Sequence, residues 1–353
     1  MVEKGISLVI FCYNSEKRIW ETLKHIVNQK LSKDILWEVI AVDNNSSDRT
    51  LEVIENALRS LSFNAPFHIV SEEKQGLSYA RMKGIETARF EIVAFVDDDN
   101  RLFEDWVQNA YDFMTHNPEV GLCGGQTFPH YETDPEPWFD RVKHTIAIGE
   151  QGKSVEDITD TRKFVWGAGA LIRKPIIIKA IELGFNNITK SRVPNFLGGG
   201  DDYELACVIR AMKAKIYYNE HLKLFHYIPV SRTTWQYIRK NAQGYGYSSL
   251  LFDVYEWYIK GKNLNLPVFL LWLRQMVSLI RSLIKYGFSL MFINSYSKGN
   301  PRAMKLEYIK GRLKAFFTTS FTSYSQSVTA MRSFFTKKDK YFKERYCAIN
   351  LIL

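Results

Sequence analysis

Over the first 130 positions, short apolar runs alternate with segments whose apolar residues recur every three or four places. Ile6–Cys12, Trp37–Val42, Phe67–Val70 and Glu91–Val96 read as strands, rich in β-branched side chains. Between them, Ile19, Leu23, Ile26 and Val27 share one helical face, and Leu51, Ile54, Leu58 and Leu61 share another. Asn14 or Ser15 is placed to cap the first helix and Ser47 the second, and a third helix is expected over about 77–88. Strand and helix alternating at this spacing predict βαβ units and a mostly parallel sheet flanked by helices. Ligands of such sheets sit beyond the carboxyl ends of the strands. The polar clusters at 43–48 and 97–100 fall at those ends.

The pattern then changes twice. Residues 128–163 carry three prolines within PHYETDPEPWFD and little periodicity, so they read as a loop. Phe164–Ile172 is strand-like, a helix is expected near 175–183, and the cluster Gly198-Gly199-Gly200 precedes a helix over Asp201 to about Ala211. Two short strands, Lys215–Tyr218 and Leu222–His226, follow. After 231 the chain turns helical, aromatic and basic. In 266–293, Arg274, Gln275, Ser278, Arg281, Ser282, Lys285 and Ser289 form one polar stripe on an otherwise apolar helix. That is the pattern of a helix lying on a membrane surface, and the charges argue against a span. The order of the tail 294–353 is not readable from its sequence.

Charge sharpens this division. The net charge of the 353 residues is +9, but 231–353 alone carries +15, leaving −6 for 1–230. The expected organisation is an α/β domain over 1–230 and a basic helical region over 231–353 whose partner is an anionic membrane surface, met through 264–293. No base-reading motif accompanies the basic residues, so nucleic acid is not the expected partner. Cys12, Cys123, Cys207 and Cys347 show no metal-ligand spacing and read as reduced thiols. With no secretory signal apparent, the expected location is cytoplasmic, peripheral at the inner face of the cell membrane.

Two acidic clusters carry the candidate chemistry. Asp97-Asp98-Asp99 follows a buried strand, where three like charges repel and a hard divalent cation would relieve them. Alternation along an extended segment lets Asp97 and Asp99 converge on one ion or its water shell. Asp201-Asp202 opens a helix, whose N-terminal field favours carboxylates, and the glycines before it allow close backbone approach to a ligand.

These residues resemble glycosyltransferase family 2, of the nucleotide-diphospho-sugar transferase (GT-A) fold. SLVIFCYNSEKRI, EVIAVDNNSSDRT, KQGLSYARMKGIETA, IVAFVDDDN and GGGDDYEL resemble five family segments in order, across about residues 5–230. Met82 stands where the family usually has Asn. The resemblance implies an inverting transfer of a sugar from a nucleoside-diphosphate donor, with UDP the commonest nucleotide, to an acceptor hydroxyl on a glycan or lipid-linked precursor. It implies nucleotide binding by Tyr13, Asp43, Arg81, Asp97 and Asp98. It implies a divalent metal, Mn2+ or Mg2+, at Asp99 and His226, and Asp202 as the base. Trp166, Gly167, Gly200 and Asp201 would line the acceptor or sugar pocket. Asp48 is expected to cap a helix, Glu204 to order a loop, and Trp138 to meet the acceptor.

Other readings stay open at this point. A processive synthase of the same family would carry Gln-x-x-Arg-Trp; Gln236 and Arg239 echo it, with Lys240 in place of Trp. A sugar nucleotidyltransferase would need a Gly-rich loop where FCYNSEKRI stands. A non-catalytic binding module predicts no turnover with any donor.

Overall fold

The computed structural model describes residues 3–188, 199–262, 265–291 and 297–350. Gly198, Ile293 and the side chains of Ser289 and Cys347 therefore lie outside the described residues. The strands are β1 Glu3–Cys12, β2 Trp37–Asp43, β3 Phe67–Ser71, β4 Phe90–Asp97, β5 Asn100–Leu102, β6 Val120–Tyr131, β7 Glu156–Asp157, β8 Ala170–Arg173 and β9 Lys215–Ile228. The helices are α1 Ile19–Val27, α2 Thr50–Ser60, α3 Leu77–Thr87, α4 Trp106–His116, α5 Lys174–Glu182, α6 Asp201–Ala211, α7 Trp235–Ile259, α8 Val268–Met291, α9 Pro301–Thr318 and α10 Phe321–Asn350.

One sheet runs β3-β2-β1-β4-β8-β6-β9-β5, with β7 paired to β9. Its long pairings are parallel: β1 with β2 and β4, β2 with β3, and β6 with β9. β8 runs antiparallel between β4 and β6, and the short β5 and β7 run antiparallel to β9. Continuous apolar runs make β1 and β2 buried on both faces, as helix-covered parallel strands require. One apolar layer joins Ile6, Leu8 and Ile10 to Leu23, Ile54 and Trp106. The opposite layer starts at Val9 and Val93 and passes through Tyr218. It runs on to Tyr255, Leu271, Tyr324 and Phe335, so a single core crosses position 230.

Several local expectations change. Asn14 and Ser15 do not cap α1: Asn14 adopts φ 49° and its side chain accepts from the Ser47 N–H, while the Ser15 hydroxyl turns to Asp98. At α2 the Asp48 carboxylate, not Ser47, accepts from the Thr50 N–H at 3.0 Å. Leu51 is 38% exposed, and Ile54 with Ala57 make the buried face. Phe128–Tyr131 extends β6 rather than beginning a loop, because β9 pairs with it throughout. The two strands expected at 215–226 are one, with a register shift where Gly124 gives way to Gln126. Of 164–172 only Ala170–Ile172 is strand, since Gly169 turns the chain at φ 68°. The basic tail forms α9 and α10, and α10 packs on the core through Tyr324, Val328, Met331 and Phe334.

Candidate active site

The carboxyl ends of β1, β2 and β4 open onto a cleft of about 730 Å3, lined by Tyr13, Asn44, Gln75 and Asp97 among others. Asn44 builds its floor: the side chain donates to the carbonyls of Glu72 and Lys74 and accepts from the Gly76 N–H. Tyr13 is 46% exposed at the rim, where its hydroxyl receives Gln75 Nε2 at 3.4 Å. Asp43 is buried one residue behind Asn44, and its Oδ1 has no hydrogen-bond partner among the described residues.

Alternation divides the acidic triplet. Asp98 lines the cleft beside Arg18 of the turn before α1, which donates to it at 2.7 Å, and the Ser15 hydroxyl bonds its Oδ2. Burial and the charge of Asp99 raise its pKa, and Arg18 and Ser15 partly offset them. Asp98 thus also serves as a strut between strand and helix. Asp99 is 3% exposed; its Oδ2 accepts from Arg232 at 2.8 Å, and its Oδ1 stands 3.5 Å from His226 Nε2. β5 pairing with β9 sets His226 directly opposite Asn100. The His226 Nδ1 lies 3.4 Å from the Ala147 carbonyl, which can only accept. The same Asp99 Oδ1 accepts from Asn100 Nδ2 at 3.2 Å.

A small pocket of about 70 Å3 adjoins the cleft and shares Leu77, Asp97, Arg232 and Tyr237 with it. Its far wall is the start of α6. Gly200 caps that helix at φ 114°, where Phe252 leaves no room for a side chain. Arg81 lies here, 6% exposed, bonded to Asp201 and paired with Asp202 at 2.6 Å. Burial alone would lower its pKa, but Asp201, Asp202 and Asp97 outweigh burial and raise it. Arg81 thus bridges the two catalytic-motif carboxylates and lines only the small pocket, a correction to its expected contact with the base. It sits on the second turn of α3, which faces α6. The other Asp202 oxygen accepts the Gly167 N–H at 2.9 Å. A Cβ at Gly167 would collide with both Arg81 and Asp202.

Trp166 lines the small pocket with Gly167, Gly200 and Asp201, but it is 6% exposed and Arg162 covers its ring at 4.7 Å. One aromatic expectation does not hold. Trp138 is buried edge-on against Phe139 and Trp235. Glu204 is buried, accepting from the Ile188 N–H and the Tyr255 hydroxyl, and so ties a loop and α7 to α6.

The cleft's remaining wall comes from the C-terminal third, which motif reading did not reach. Arg232, Lys240, Gln243 and Tyr247 line it from the turn before α7 and α7 itself, and Lys314 from α9. The available signals were Gly244, Gly246 and Gly311, out of place inside helices unless another backbone comes close. A Cβ at Gly246 would strike the Tyr308 carbonyl, and one at Gly311 the Gln243 carbonyl. Arg239, of the Gln-x-x-Arg echo, pairs with buried Glu307 at 2.9 Å and ties α7 to α9.

On α8 one member of the polar stripe departs from the rest: Gln275 is buried between Leu250 and Arg312, while Arg274, Arg281 and Lys285 are exposed. Large apolar side chains of the helix are exposed as well, Ile284 at 62% and Phe269 at 56%. No helix among the described residues is long and apolar enough to cross a membrane.

A family model, Glycosyl transferase family 2, matches residues 7–180. Glucosyl-dolichyl phosphate glucuronosyltransferase of Haloferax volcanii is 21% identical over 254 residues, 70% of this chain and 77% of that protein. Poly-beta-1,6-N-acetyl-D-glucosamine synthase of Staphylococcus aureus is 27% identical over 122 residues, 35% of this chain and 28% of that relative's length. Among solved structures, a mannosyltransferase from Pyrobaculum calidifontis in complex with GDP-Man and Mn2+ matches with a TM-score of 0.55. It is 16% identical, with 89% of this chain and 88% of that one covered. At that identity the likeness establishes the shared fold.

Proposed function

The chain belongs to glycosyltransferase family 2 through residues 7–180, and we propose that it is an inverting transferase in which Asp202 activates an acceptor hydroxyl against a nucleoside-diphosphate sugar. The observation that carries this is the small pocket itself. Asp202 stands in one wall, and His226 and Arg232, both in contact with Asp99, stand in another. Tyr13 and Asn44 suit the nucleoside end of the cleft, with Asp43 buried behind Asn44, and Asp97 lies where cleft and pocket meet. A UDP-sugar is the first donor to test.

For a divalent cation, Mn2+ or Mg2+, Asp99 and His226 would supply one oxygen and one nitrogen. No group of three His, Cys, Asp or Glu able to hold a metal occurs among the described residues, so further ligands would have to come from the donor's diphosphate. Oxygen with imidazole suits Mn2+ well. Bound there, the ion would supply Lewis-acid stabilisation of the departing diphosphate. Among this chain's own groups, Gly167 N–H and Arg81 fix the Asp202 carboxylate so that one oxygen can take the hydroxyl proton. Arg232 and Lys240 put positive charge beside the leaving group. Attack opposite the diphosphate inverts the anomeric centre.

In this reading residues 1–230 carry the donor-site and base residues, while 231–353 add Arg232 and Lys240, wall the cleft and meet an anionic membrane surface, expected at the cytoplasmic face. The acceptor would be lipid-linked. The exposed apolar side chains of α8 support that surface, and a relative is itself named for a dolichyl phosphate substrate.

The test incubates the chain with Mn2+ or Mg2+ and a panel of nucleotide sugars, and measures released nucleoside diphosphate. Asp202→Asn should lower turnover by about 10²- to 10⁴-fold while nucleotide affinity stays within about twofold. Turnover unchanged in that variant would refute the assignment of the base. Release of pyrophosphate instead would point to nucleotidyl transfer.

A further inference from the structure

A second cavity of about 730 Å3 lies away from the catalytic cleft, between the C-terminal half of α7 and the helix α8. Five cations line it: Lys260, Lys262, Arg274, Arg281 and Lys285. Its two carboxylates are already neutralised from behind. Asp253 accepts from Arg312 at 2.6 Å, and Glu256 is held by Arg210, Lys163 and the Tyr203 hydroxyl. None of the five cations forms an ion pair among the described residues. Arg274 stacks on the Trp257 ring at 3.6 Å and Lys262 approaches it at 5.4 Å. The buried Trp257 Nε1 has no hydrogen-bond partner among the described residues. The cavity is therefore a strongly positive concavity of the size that holds a compact ligand.

Its position on the helix matters as much as its charge. Arg274, Arg281 and Lys285 follow one another at spacings of seven and four and so share one edge of α8. Beside that edge, on the outward face, stand Leu270, Val277, Ile280 and Ile284, each more than 40% exposed. The apolar surface continues onto α9 and α10. Trp272 stacks on Phe316, and neighbouring Phe317 and Phe321 are 77% and 45% exposed. A row of cations bordering an outward apolar strip matches a bilayer's boundary between phosphates and acyl chains. Nucleic acid would be served by the cations but not by the apolar strip.

We propose that the groove between α7 and α8 seats the phosphodiester headgroup of an anionic phospholipid, while the outward side chains of α8 enter the acyl layer of the same bilayer. This rests on the membrane-surface reading above and adds a defined headgroup site to it. The apolar strip alone gives weak attachment to any bilayer. The groove makes attachment depend on anionic lipid, by about fivefold for each cation at the surface.

The experiment uses the full chain in co-sedimentation with vesicles of phosphatidylcholine, alone or with three parts in ten phosphatidylglycerol. The expected result is strong preference for the phosphatidylglycerol vesicles. Arg281→Gln with Lys285→Gln should reduce that preference about 25-fold, leaving binding to neutral vesicles unchanged. Ile280→Ser with Ile284→Ser should weaken binding to both vesicle types. Donor hydrolysis in solution and the melting temperature should stay as in the parent for all these variants, since none touches the cleft. If the charge variant keeps the full preference, the headgroup site is overturned while the membrane reading stands. If the parent binds no vesicle, or binds RNA and no vesicle, both fall.

Discussion

Asp99 meets a guanidinium on one oxygen and an imidazole nitrogen near the other, and this double contact ranks the roles of its neighbours. A divalent ion and Arg232 compete for the same carboxylate. A charge-assisted hydrogen bond of this kind is worth about 1.5–3 kcal/mol, so Arg232 opposes cation binding until a diphosphate offers it a better partner. Arg232→Ala is expected to raise the Mn2+ affinity of the donor-free chain by about tenfold, and to lower turnover because the cleft loses a cation. Titrating Mn2+ by electron paramagnetic resonance measures the first effect without any reaction. A weaker Mn2+ affinity in the variant would show that Arg232 positions Asp99 rather than competing for it. The carboxylates themselves were legible from their places after strands and before a helix. Arg232 was not, because it stands 133 positions from Asp99 and belongs to no motif.

Among the helices, α7 and α9 show how glycines inside regular structure become informative. Their backbones touch at two points, Gly246 against Tyr308 and Gly311 against Gln243. Gln243, Tyr247 and Lys314, which flank these contacts, line the cleft. Gly311→Ala should force the helices apart, at a cost of about 1–3 kcal/mol for an overpacked contact. A chain of this size should then melt several degrees lower. Nucleotide affinity should weaken too, because the cleft wall moves; calorimetric titration measures that. An unchanged melting temperature and affinity would mean that the crossing has slack. Helix α8 teaches the opposite lesson about periodicity. Its sequence shows two faces, one polar and one apolar, and binary pattern assigns the polar one to water. Yet α7 and α9 take Gln275 of that polar face into hydrogen bonds, and apolar residues are left outside beside Arg274, Arg281 and Lys285.

For the molecule as a whole, one core serves catalytic sheet and C-terminal helices alike. Tyr324, Val328, Met331, Phe334 and Phe335 are each at most 1% exposed and pack with Tyr218, Cys207 and Phe185. Burying a large apolar side chain is worth about 1.5–3 kcal/mol, and losing five of them is comparable to the whole margin of a typical domain. Residues 1–230 expressed alone should therefore be insoluble or aggregated. Size-exclusion chromatography of the fragment beside the full chain checks this, and a monodisperse, nucleotide-binding fragment would contradict it. Cutting at 264 to probe membrane attachment has the same defect, which is why point changes on α8 are the better tool. The strand–helix alternation of the first 130 residues, the carboxylates at strand ends and the Asp pair opening α6 followed from the chain alone, because alternation and helix starts are settled among near neighbours. Which cation answers Asp99, what closes the cleft and which side of α8 stays uncovered depended on segments far apart in sequence. Those are questions of which surfaces bury each other, and local pattern carries no information on that.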